Sequence, residues 1–223
     1  MPGEALSAEL STARKEYLER RQLRCERFEG IQADLEQYNE QQKVKVEKLL
    51  EICKKHIHNY SQTQECSRIN KALRTGTINE ARRSVRQDIR GVGLALRLAL
   101  TGLTETLKPY EGGCLYRGSG PIPEEPVAGG IFCDQAFLST TSNKQTARSF
   151  LRGVRRDKTR YLFKILKHST GIDIQKFSHL PFEEEKLFPP STWFRVVSVD
   201  PAYSLEEVTG TITLVEMEEI SVV

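Results

Sequence analysis

The sequence contains no apolar run approaching the ~20 residues that a helix needs to cross a bilayer. Its opening residues, MPGEALSAEL, lack the basic flank and apolar core of a secretory leader. No membrane span is therefore expected. Cysteines are few and badly placed for pairing: Cys25, Cys53, Cys66, Cys114 and Cys133 are odd in number and irregularly spaced, which argues against a disulfide framework and against a zinc site. A reducing compartment, the cytoplasm, suits such a chain. Of the four histidines, His56 and His58 lie two apart, a spacing that does not share a helix face, so no metal is expected. An excess of either charge is also missing. With 33 basic and 30 acidic residues, the net charge of +3 carries no signature for nucleic acid or for membrane surfaces. Internal repeats and low-complexity tracts are absent as well, and the first half holds no glycine-rich phosphate loop.

What is present falls into two textures. At 223 residues the chain can bury roughly 70% of its unfolded surface, enough for a proper core. Over 6–60 the composition is Glu, Lys, Arg, Gln, Leu and Ala, with apolar residues in steps of three and four at Leu10, Ala13 and Tyr17, then Phe28, Ile31, Leu35 and Tyr38. A second stripe runs through Val46, Leu50, Cys53, Ile57 and Tyr60, and a third, with Val85, Ile89, Val92 and Leu96, predicts a helix over 79–103. After Gly112 the runs CLYRG, QAFLST, RYLFKIL, TWFRVVSV and TGTITLVEM are short and rich in β-branched or aromatic residues, as strands are, and PIPEEPVAGG between them is a polar loop. The change of texture lies near 105–112.

Three segments of the second half carry chemistry. In CLYRGSG a permanently charged guanidinium, Arg117, stands before Gly118, which admits close approach; this is an anion-binding arrangement. In QAFLSTTSN the two-residue period of a strand places Phe137, Ser139 and Thr141 on one face, with Leu138 and Thr140 on the other. In LPFEEEKLFPP three carboxylates stand beside apolar surface, where mutual repulsion and desolvation both cost free energy. If that segment enters a strand, Glu183 and Glu185 share a face and Glu184 points away.

Taken in order, LYRG, FLSTT and EEEKLFPP resemble the three signatures of mono-ADP-ribosyltransferases of the Arg-Ser-Glu group, which includes bacterial toxins and vertebrate ecto-enzymes. The resemblance covers about 110–215. One position departs from the pattern, Thr141 standing where the group usually has serine. The resemblance implies an α+β chain: an N-terminal helical region over 1–105, with 1–40 a possible partner-binding extension, followed by a mixed-strand catalytic core over 106–223. It implies NAD as co-substrate, without a metal, and a target protein bearing an acceptor arginine.

The resemblance also assigns roles. Arg117 would hold the NAD diphosphate, with Gly118 and Thr140 contributing to the donor site. Glu185 would stabilise the ribosyl cation that forms as nicotinamide leaves, Ser139 would orient Glu185, and Phe137 would line the nicotinamide pocket. Glu183 would take the proton of the acceptor guanidinium, a poor nucleophile while protonated. Phe177 and Phe182 would help recognise the target. Such a chain would act in the cytoplasm or, as a secreted effector, in the cytosol of another cell. Three other functions compete: NAD glycohydrolysis, with water as acceptor; a non-catalytic module binding a partner through helices at 6–60; and glycoside hydrolysis by paired carboxylates, which would leave the Arg117 and Ser139 segments unexplained.

Overall fold

The computed structural model describes residues 40–104, 106–155, 157–205 and 208–220. The stripe expected over 6–38 lies outside the described residues. The chain divides between Lys45 and Val46, and the architecture below is that of the unit Val46–Val223. Helices 46–104 and the sheet thus form one unit.

Among the described residues three helices precede the first strand: α1 (Glu40–Tyr60), α2 (Thr63–Thr75) and α3 (Arg83–Leu100). The apolar stripes predicted from sequence are their inner faces. Val46, Leu50, Cys53, Ile57 and Tyr60 are all buried on α1, and Val85, Ile89, Val92 and Leu96 on α3. Each large side chain so buried removes apolar surface worth roughly 1.5–3 kcal/mol from water. Periodicity did not reveal α2, because its buried face is Ile69, Asn70 and Ala72, an apolar stripe interrupted by an amide. It stops at Gly76, whose φ of +71° is a left-handed conformation that side chains rarely adopt.

The second half builds one eight-stranded mixed sheet from β1 (Leu115–Ser119), β2 (Ile131–Cys133), β3 (Leu138–Thr141), β4 (Tyr161–Lys167), β5 (Ile172–Asp173), β6 (Glu185–Phe188), β7 (Trp193–Leu205) and β8 (Val208–Glu219). The strand order is β2-β7-β8-β4-β1-β3-β6-β5. All five runs read as strands lie in it. Beyond these runs the fold adds β2, the two-residue β5 and α4 (Lys144–Gly153), which interrupts the strand-rich half. The local signal for α4 is Asn143, whose side-chain oxygen accepts from the Gln145 N–H at 2.9 Å, followed by Ala147 and Leu151 one turn apart and fully buried.

One face of the sheet carries the larger core, in which Leu115, Leu138, Phe163, Phe188 and Phe194 are buried together. A second cluster unites Ala147 and Leu151 of α4 with Leu162 and Ile212 of the sheet. Helix α4 sits very close to β1. A Cβ on Gly118 would fall 2.2 Å from the Ala147 carbonyl oxygen, so glycine is required there. The close approach inferred from sequence is therefore by a helix backbone, and Gly118 shapes the site by letting α4 down onto the strand.

Candidate active site

β3 and β6 run antiparallel, with Thr141 opposite Glu185, Thr140 opposite Lys186 and Ser139 opposite Leu187. Residues opposite one another share a face, so Ser139, Thr141 and Glu185 lie on one side and Thr140 and Lys186 on the other. The Thr140 hydroxyl donates to the Lys186 carbonyl at 2.7 Å. Its side chain thus ties the two strands together, and Thr140 also borders the adjoining cleft.

The first face opens into a cleft of about 200 Å³ lined by Arg117, Ser139, Glu183 and Glu185 from the three segments singled out in the sequence. Helix α2 contributes Thr63 and Cys66 to the opposite wall, and α4 contributes Thr146 and Phe150. Those wall residues were missed because both helices were missed. The Arg117 guanidinium donates to the Ser139 carbonyl at 2.7 Å, which fixes the cation against the strand that carries the hydroxyl.

Glu185 is 4% exposed. Burial pushes its carboxyl up to about 7; hydrogen bonding from the Ser139 hydroxyl opposes that rise, the charge of Glu183 adds to it, and Arg117 and Lys186 draw it down. Glu183 is raised as well, by partial desolvation. Both groups are therefore held as stronger bases than an ordinary carboxylate.

Glu183 and Glu185 do face the same cleft, but not through the pleat of a strand. Glu183 closes a 3-10 turn (Pro181–Glu183), Glu184 has the left-handed φ of 50°, and β6 begins only at Glu185. Glu184 is no bystander. Its carboxylate accepts from the Ser142 hydroxyl at 2.7 Å and from the Asn143 side-chain amide at 3.3 Å, and these bonds hold its carboxyl below the usual range. The contacts fasten the turn to the start of α4 and stabilise an unfavourable backbone conformation.

The aromatic residues separate into three positions. Phe137, expected to line the cleft, is 1% exposed and packs edge-on against Tyr60 with ring centroids 5.4 Å apart. It supports β3 from within the core, because its strand starts only at Leu138 and the end of α1 covers the preceding residue. Phe177 is half-buried, with the Lys54 ammonium 4.8 Å from its ring, so it anchors the loop to α1. Phe182, 71% exposed, projects beside Glu183. Among the described residues no group of His, Cys, Asp and Glu is arranged to hold a metal ion, and no helix is long and apolar enough to cross a membrane.

The fold recurs in bacterial ADP-ribosyltransferases of known structure. The Vis toxin, an ADP-ribosyltransferase from Vibrio splendidus, superimposes with a TM-score of 0.58 at 21% identity over 83% of this chain and 88% of that one. The C3 exoenzyme of Clostridium limosum gives 0.53 at 16% identity over 76% and 85%. Exoenzyme S from Pseudomonas aeruginosa gives 0.50 at 22% identity over 72% and 69%. A comparison with curated protein sequences found no match. The sequence profile of NAD:arginine ADP-ribosyltransferases matches residues 4–218, nearly the whole chain, and the chain accordingly belongs to the NAD:arginine ADP-ribosyltransferase family.

Proposed function

We propose that this chain transfers a single ADP-ribose from NAD to the guanidinium of an arginine on a target protein, with Glu185 acting on the donor and Glu183 on the acceptor. The observation that carries this division is the turn at Glu184. It directs two carboxylates of unlike burial into one cleft, one beside the Ser139 hydroxyl and the other beside the exposed Phe182. The residues suit NAD: Arg117 is a fixed cation for its diphosphate, and hydroxyls and a buried carboxylate stand where a ribose would need acceptors.

The glycosidic C–N bond of NAD breaks with its electron pair leaving on neutral nicotinamide, and positive charge develops on the ribosyl carbon. Glu185, ionised, stabilises that charge in a desolvated position where water competes little. Arg117 holds the diphosphate so that the ribosyl carbon stays beside Glu185. Glu183 takes a proton from the acceptor guanidinium as its nitrogen forms the new C–N bond, a task eased by the raised basicity of this carboxylate. Phe182 supplies exposed apolar contact for the protein that carries the arginine.

The Vis structure was also solved in complex with agmatine, a guanidinium compound, and exoenzyme S bound to carba-NAD; both complexes support the pairing of an NAD donor with a guanidinium acceptor. The toxin and exoenzyme names of these relatives support a role as an effector acting in the cytosol of another cell. The test is mass spectrometry of a cell lysate incubated with the protein and NAD. ADP-ribose on arginine side chains is the expected result. Nicotinamide release without any modified protein would favour glycohydrolysis, and neither product would favour a binding module.

A further inference from the structure

Directly after Glu185 the chain places a lysine where a strand facing the core would carry an apolar residue. Lys186 is 2% exposed and lies on the side of β6 turned away from the cleft, between strand neighbours Leu187 and Glu185 whose side chains take the other face. Leu138 and Phe188, which share its side of the sheet, belong to the main core. Its ammonium has two neighbours: Asp173 of β5, whose carboxylate is 3.1 Å away, and the Tyr110 ring, whose centroid is 5.0 Å away. Asp173 is 41% exposed, so water screens its charge in a way that it cannot screen the lysine. Burying an ammonium costs several kcal/mol unless it is compensated, and packing alone would be served by leucine or methionine at this position.

We propose that Lys186 is a positioning residue for the reaction, a buried fixed charge behind β6 that favours the ionised form of Glu185, with Asp173 setting how much of that charge Glu185 feels. The proposal rests on the reading of Glu185 as the group that acts on NAD. The groups around Glu185 leave this task open. Glu183 faces it from the 3-10 turn and disfavours its charge, while Arg117 of β1 favours it. Tyr60 at the end of α1 and Cys66 of α2 both stand within electrostatic reach but are themselves held neutral by burial. Against one carboxylate that opposes ionisation, the site therefore sets two cations, and Arg117 is the one that bound NAD diphosphate would neutralise. Once the donor is in place, Lys186 is, of these two protein cations, the one still acting on Glu185. Behind Lys186, His168 stacks on Tyr110 with centroids 5.7 Å apart, so the Lys186–Tyr110 contact is itself braced.

Two substitutions should move the pH dependence of nicotinamide release in opposite directions, which a merely structural role would not do. With Lys186→Met the pH of half-maximal turnover should rise by roughly half to one unit, the effect of removing one cation from behind a desolvated carboxylate. With Asp173→Asn it should fall by a smaller amount, because the lysine is then uncompensated; asparagine keeps the side-chain oxygen that accepts from the Gln175 N–H. Lys186→Arg should restore the wild-type midpoint. Shifts of the same sign, or none, in the first two variants would overturn the proposal. If Lys186→Met does not fold, Asp173→Asn decides alone: a downward shift supports the proposal and an unchanged midpoint refutes it. Full nicotinamide release by Glu185→Gln would instead remove the underlying reading of Glu185, a separate outcome from either shift.

Discussion

Replacing Glu185 by Gln should damage activity and improve stability, because the same burial underlies both. The carboxyl is 4% exposed and is raised by desolvation from 4.5 to about 7. An acid whose folded-state pKa lies above its unfolded value binds its proton more tightly in the folded chain, so stability is full below about 4.5 and falls as pH rises through about 7. At 1.36 kcal/mol for each tenfold change in proton affinity, the ionised carboxylate costs on the order of 3 kcal/mol above pH 8. Gln fills nearly the same volume and carries no charge to desolvate. For a unit of this size 1 kcal/mol corresponds to about 2–4 °C, so Glu185→Gln should melt roughly 6–12 °C above wild type at pH 8. Near pH 4.5 the two proteins should melt together. In the same preparation nicotinamide release should drop by a factor on the order of 10² or more, since the charge that stabilises the ribosyl cation is gone. Scanning calorimetry at the two pH values, paired with a nicotinamide assay, reads both effects. A variant that is inactive but no more stable at pH 8 would refute the account of Glu185 as a costly buried charge. A variant that stays active would remove it from the chemistry.

Glu183→Gln should abolish arginine modification while leaving hydrolysis of NAD largely intact, as seen by comparing labelled protein with released nicotinamide; equal loss of both would end the division of labour between the two carboxylates. Arg117→Lys keeps the charge but loses the planar fork that now reaches the Ser139 carbonyl, so NAD should bind more weakly in a calorimetric titration, and unchanged affinity would take Arg117 out of the donor site. Gly118→Ala forces a methyl group against the Ala147 carbonyl oxygen. It should cost about 1–3 kcal/mol of stability and lower turnover by lifting α4 and its cleft residues from β1, and a thermal melt matching wild type would contradict that packing.

Local pattern determined a good deal. The spacing of Val46, Leu50, Cys53, Ile57 and Tyr60 specified one face of α1, and all five residues are buried, because a helix of period 3.6 has only one way to hide such a set. Strand alternation likewise put Ser139 and Thr141 together and Thr140 opposite, and the register with β6 agrees. Arg117, Ser139, Glu183 and Glu185 were legible as a set from their residue types and order, and the fold brings all four to one cleft, whatever the path of the chain between them.

Tertiary structure decided the rest. Phe137 has the period of a cleft residue but lies under Tyr60, which approaches from 77 residues earlier in the chain, and no local pattern records such an encounter. Glu184 adopts a left-handed backbone that its own residue type disfavours, and it does so because Ser142 and Asn143 hold its carboxylate from another element. That turn, and not the pleat of a strand, brings Glu183 and Glu185 to one cleft. The burial that raises Glu185 to about 7 is likewise a property of the packed helices and sheet. A sequence can name a carboxylate, but its basicity is set by how much water and how many charges the folded chain leaves around it.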